Sequence, residues 1–148
     1  MPIVERIIAK GQLIPLVFEQ ADVSGTQSAV ALPTSEVRDT AASASDQNAA
    51  AGYVMPWAYE IVGIGVTSSA ARTAGTLTVD ATIGGTAQGA QAVLNGTTTN
   101  NAYTVIPRGT YNGAAGDKVG CKITTASWTP TTADIVVTVW VIAYLEGI

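Results

Sequence analysis

Residues 76–83 read Thr76-Leu77-Thr78-Val79-Asp80-Ala81-Thr82-Ile83, a strict alternation of polar and apolar side chains. Successive side chains of an extended chain point to opposite faces. The stretch is therefore one β-strand, with Leu77, Val79, Ala81 and Ile83 on a dry face and the threonines and Asp80 on a wet one. Gly84-Gly85 follows at once. It lacks the lysine and Ser/Thr of a phosphate loop and no helical pattern succeeds it, so a hairpin turn is the expected role. Upstream, Val62, Ile64 and Val66 repeat the period around Gly63 and Gly65. Glycines at alternate strand positions leave one face bare, which often means that another backbone or a large side chain lies against it. Downstream, Lys118, Lys122 and Thr124 alternate with Val119, Cys121 and Ile123. Shorter candidates at 53–57, 91–94, 103–106 and 110–112 are bounded by turn sequences such as Asn95-Gly96 and Asn112-Gly113. Short strands at this spacing, with turn chemistry between them, predict a sandwich or a barrel.

The last strand differs from the rest. From Ile135 to Leu145 both alternating sets are largely apolar: Ile135, Val137, Val139, Val141, Ala143 and Leu145 on one face, and Val136, Trp140, Ile142 and Tyr144 on the other. An antiparallel strand of a sandwich normally shows water one face, so this one calls for a second cover. Either the chain's own N-terminal segment or a neighbouring subunit can supply it, and aromatic side chains are enriched where subunits meet.

Three zones follow from composition. Residues 1–34 carry apolar clusters punctuated by Pro2, Gly11, Pro15, Gly25 and Pro33. Ile3, Val4, Ile7 and Ile8 fit a turn or two of amphipathic helix. Leu13, Ile14, Leu16, Val17 and Phe18, interrupted by Pro15, fit an extended or edge strand. This zone reads as an arm that gains order by lying on something else, or as the first strand pair of the sandwich. Residues 35–51 are an Ala/Ser-rich stretch without an apolar stripe, expected to be a mobile loop. Residues 52–148 are the β-domain proper.

The 148 residues suit a single domain able to fold without disulfides or metal. The chain has 7 Lys+Arg, 11 Asp+Glu and a net charge of -4, with only 12% charged residues. Seven scattered cations do not make the basic patch that nucleic acid requires. Histidine is absent, which removes the usual general base and the commonest metal ligand. Cys121, the lone cysteine, sits in a strand pattern as a small buried hydrophobe. No carboxylate pair or glycine loop forms a convincing catalytic set, so neither enzymatic activity nor a cofactor is expected. The N-terminus lacks the pattern of a secretion signal, and no apolar run is long enough to span a bilayer. Mean hydropathy is nonetheless +0.30, so the apolar character must be buried in a core or against partner chains. Polar loops at 97–101 and 128–133 are the places where a sugar could stack on Trp128, although such loops are more often plain connections.

Several phrases together resemble the jelly-roll-like domain of surface proteins of tailed bacteriophages. They are Gly52-Tyr53-Val54-Met55-Pro56-Trp57, Ile61-Val62-Gly63, Ala71-Arg72-Thr73-Ala74-Gly75-Thr76-Leu77-Thr78-Val79, Ala115-Gly116-Asp117-Lys118-Val119-Gly120, and Thr129-Pro130 through Asp134-Ile135-Val136-Val137. The resemblance spans about residues 52–145 and carries no catalytic residues. It implies an all-β, jelly-roll-like antiparallel sandwich with an extended N-terminal arm. It further implies a structural virion protein, made in the host cytoplasm, that trimerises on the capsid surface and binds the major capsid protein. A tail-fibre or receptor-binding module contacting host glycans is the alternative. The interface expected on this basis comprises Ile3, Val4, Ile7, Ile8, Leu13, Ile14, Leu16, Val17, Phe18, Val136, Trp140, Ile142 and Tyr144. Removal of residues 2–18 is then expected to abolish capsid binding while the sandwich stays folded.

Overall fold

The computed structural model describes residues 11–34 and 52–145. Within them the alternating segments become strands β1 (Gln12–Gln20), β2 (Gln27–Ala31), β3 (Tyr53–Val54), β4 (Tyr59–Ser68), β5 (Ala74–Ile83), β6 (Thr86–Leu94), β7 (Asn101–Val105), β8 (Tyr111–Gly113), β9 (Lys118–Thr129) and β10 (Ile135–Ala143). Every pairing is antiparallel. One sheet has the order β1-β10-β4-β7, with β8 beside β4; the other runs β2-β9-β5-β6, with β3 beside β9. The pairs are nested: β1 lies on β10 and β2 on β9, while β4 pairs with β7 and β5 with β6. A chain wrapped in this way, with its first and last described strands side by side in one sheet, is a jelly roll. The all-β sandwich expected from the period-two pattern is present.

The dry faces meet between the two sheets. Leu77, Val79 and Ala81 of β5, Val119, Cys121 and Ile123 of β9, and Ile135, Val137, Val139, Val141 and Ala143 of β10 are all fully buried there. Gly84 and Gly85 have φ of 58° and 81°, the paired left-handed conformations of a tight hairpin whose twist matches that of its strands. They join β5 to β6. Gly113 is a glycine for a different reason: a Cβ there would collide with the Tyr59 ring at 2.1 Å. Trp128 closes one end of the core, fully buried, and its Nε1–H donates to the Pro130 carbonyl at 3.1 Å.

Of the two readings of residues 1–34, the described residues follow the first strand pair and not the extended arm: β1 and β2 lie one at an edge of each sheet. The expected harmlessness of removing residues 2–18 needs correction. Within β1, Leu16 is 5% exposed and Phe18 fully buried. Alternation decides this, because β1 pairs with β10 over its whole length and every second side chain must enter the core. Removing residues 2–18 would strip those core side chains as well as any arm, so the sandwich is not expected to survive it. The amphipathic cluster Ile3, Val4, Ile7 and Ile8, and the Ala/Ser-rich stretch 35–51, lie outside the described residues.

Candidate functional site

Register determines what the outward face of the β1-β10-β4-β7 sheet displays. Leu13 lies opposite Ile142, Pro15 opposite Trp140 and Val17 opposite Thr138. Across β10, Trp140 faces Gly63, Thr138 faces Gly65 and Val136 faces Thr67. On β7, Val105 pairs with Gly63 and Tyr103 with Gly65. These side chains share one surface. Six large hydrophobic residues are exposed among the described residues, and five belong to this surface: Leu13, Tyr103, Val105, Val136 and Trp140. The sixth, Val54, lies on the other sheet. Scattered exposed apolar residues are ordinary, whereas a cluster on one sheet face marks a contact surface.

The face has relief. Val136 and Trp140 form a ridge along β10, Tyr103 and Val105 a second ridge along β7, and β4 runs between them with glycine at positions 63 and 65. Two depressions lie in this trough. One, of about 320 Å³, is lined by Leu13, Gly63, Val105 and Trp140 among others. The other, of about 280 Å³, is lined by Gly65, Thr67, Val136 and Thr138 among others. Trp140 and Tyr103 wall both.

Charge appears only at the margins. Glu19 lies opposite Val136 at one end. At the other, Glu60 lies opposite Ile142 but is only 1% exposed. Its carboxylate accepts from Arg108 Nε–H, from the Gly109 amide and from the Tyr144 hydroxyl at 2.7 Å. Burial pushes the Glu60 pKa up, but the Tyr144, Gly109 and Arg108 hydrogen bonds outweigh it and hold the group below its ordinary value. The cluster clamps the turn between β7 and β8 onto β4. The outward face of the second sheet is the opposite in character: Asp80 stands opposite Lys122 and Gln91, and Gln91 donates to Asp80 at 2.8 Å. The groove there is lined by Lys118 and Lys122 around Gly120. One face of the sandwich is dressed for water and the other is not.

Of the residues expected at an interface, Leu13, Val17, Val136, Trp140 and Ile142 share the apolar face. Ile14 packs on the core from a half-buried position, Leu16 and Phe18 are inside it, and Tyr144 is engaged by Glu60 and Arg108. The doubly apolar β10 is explained in part: β1 and β4 flank it as sheet neighbours, and no described segment covers its outward side. Tyr103 and Val105, 82% and 74% exposed, were not anticipated as interface residues. Their spacing of two along one short strand was the available signal. Gly63 has the large neighbour its sequence context suggested, since the site of its missing Cβ lies 3.5 Å from Trp140. Trp128, the one aromatic of the candidate sugar-binding loops, has no exposed ring on which a sugar could stack. Among the described residues no group of three or more Cys, Asp or Glu side chains is arranged to hold a metal ion.

No family model matches the chain, and no curated protein does. Among solved structures, it is similar to a chain in the acidic stable capsid structure of Helicobacter pylori bacteriophage KHP30, with a TM-score of 0.45, 12% identity, and coverage of 89% of this chain and 88% of that one. It is similar to a chain in the capsid asymmetric unit of cyanophage Pam1, with a TM-score of 0.44, 13% identity, and coverage of 90% and 86%. A carbohydrate-binding module in complex with calcium and xylotriose matches at a TM-score of 0.35 and 20% identity, covering 61% of this chain and 66% of the module.

Proposed function

We propose that this chain is a structural virion protein of a tailed phage: a capsid decoration protein that assembles as a trimer, binds the major capsid protein and stabilises the head. The observation that carries the proposal is the uncharged apolar face of the β1-β10-β4-β7 sheet, which the described chain leaves uncovered. With this face left as the described residues leave it, Trp140, Tyr103 and Val105 stand in water at a cost of roughly 25 cal/mol per Å². The jelly-roll wrapping and the resemblance of the strand-and-turn phrases to those of phage surface domains support the same reading. Function here is burial and not catalysis, with no cofactor. A protein that binds only the assembled shell shifts the equilibrium away from disassembly by mass action. The receptor-binding alternative loses its stacking aromatic with Trp128 and keeps only the polar loop at 97–101.

The test is to add purified protein to phage heads lacking it and to follow the temperature at which they release DNA. Binding at saturable stoichiometry with a higher release temperature is expected. Absence of binding to heads, together with retention on a glycan array, would overturn the assignment in favour of a receptor-binding module.

A further inference from the structure

We propose that the occupant of the apolar face is a second copy of this chain, the β7 ridge of one copy lying in the glycine-floored trough of the next. The inference rests on the assembly role above and goes further by assigning this surface to contacts between copies, which leaves the shell contact to other parts of the chain.

The glycines argue first. Neither Gly63 nor Gly65 has a positive φ. A Cβ at Gly65 would meet only the Ala102 carbonyl at 3.7 Å and Tyr103 Cβ at 3.8 Å, and one at Gly63 would find its nearest atoms at 3.4 and 3.5 Å. These are ordinary van der Waals contacts. Glycine inside a strand weakens it; at Gly63 the bare position seats the protomer's own Trp140, but at Gly65 the protomer gains nothing local in return. The emptiness over Gly65 serves something that enters the trough.

Shape and charge then say what enters. The ridge and the trough lie on the same face, side by side, with Tyr103 projecting 82% exposed from the strand next to Gly65. A surface that carries both the protrusion and its receptacle can pair with itself. It bears no charge between Glu19 and the clamped Glu60, so two copies meet without like-charge repulsion, and a strongly charged partner would find nothing to pair with. Area agrees. The 9, 9, 10 and 5 residues of β1, β10, β4 and β7, at about 3.4 Å along each strand and about 4.8 Å between strands, give roughly 540 Å² per copy. Two such faces bury on the order of 1,100 Å², at the small end of specific interfaces.

The experiment is sedimentation velocity of the full-length chain at 2–100 µM (a range of roughly this span brackets ordinary affinities), in parallel with head binding. The wild-type chain is expected to be an oligomer. Tyr103→Glu alters a side chain that takes no part in the core and is expected to give a monomer with an unchanged circular dichroism spectrum and melting profile. Gly65→Leu fills the trough and is expected to weaken association at least tenfold, while Lys122→Glu, on the other sheet, is expected to leave it unchanged. A wild-type monomer across the range, or an oligomer indifferent to both Tyr103→Glu and Gly65→Leu, would overturn the inference. A monomer that still coats heads defeats the inference and the trimer but leaves the decoration role standing, and an oligomer that coats no heads defeats the decoration role alone.

Discussion

Glu60 is the residue whose protonation state the fold depends on most visibly. It is a carboxylate at 1% exposure, tolerable only because Arg108, Tyr144 and the Gly109 amide all donate to it. Glu60→Gln keeps the shape and one acceptor but removes the charge. A loss of about 1–2 kcal/mol is expected near neutral pH, at the low end because Arg108 is half exposed. The pH dependence has a definite sign. A folded pKa below the unfolded one means that stability is fully present above the unfolded value, near 4.5, and drains away as the pH falls through the folded one. Thermal melts of the two proteins at pH 7 and at pH 3 should therefore differ clearly at the first and converge towards the second; a constant gap would show that the charge is immaterial. None of this cluster was legible in the sequence. Glu60 and Arg108 are 48 positions apart, and only the pairing of β4 with both β7 and β8 brings them together.

At the scale of the element, the alternating stretches were legible because one dry face is a local property of sequence. Residues 76–83 fall within β5, and Val62, Ile64 and Val66 fall within β4. What alternation could not give was partnership. The first strand β1 joins the last strand β10, some 120 residues later, and nothing local in either announces the other. The same blindness made removal of residues 2–18 look harmless to the sandwich, when residues 12–18 belong to β1. Phe18→Ala is expected to cost about 3–5 kcal/mol, the range for a buried aromatic truncated to a cavity, measured by urea unfolding. A truncation through residue 18 should yield protein without a cooperative transition, whereas one through residue 10 leaves all of β1 in place and should unfold cooperatively. Equal stability of the two truncated chains would mean that β1 is dispensable, contrary to its continuous pairing with β10.

The whole molecule is a sandwich with two unlike outer surfaces, and the contrast bears on how its assemblies should respond to salt. The β2-β9-β5-β6 sheet turns Lys122, Asp80 and Gln91 to solvent, as a face meant to stay wet does. The other sheet offers Trp140, Tyr103, Val105 and Leu13, with ionised groups only at its rim. Contacts between ions are screened over about 10 Å at 0.1 M salt and 3 Å at 1 M, whereas burial of apolar surface does not depend on screening and is strengthened by sulfate and phosphate. An assembly held by the apolar face should consequently keep its mass from low salt to about 1 M sodium chloride and tighten in ammonium sulfate. It should loosen on cooling towards 4 °C (about the lower practical limit), because the apolar driving force weakens there. Light scattering across this grid separates the two kinds of glue. Dissociation by sodium chloride alone would place the contact on the lysine-bearing sheet, where Lys118 and Lys122 flank Gly120, and would remove the apolar face from the assembly.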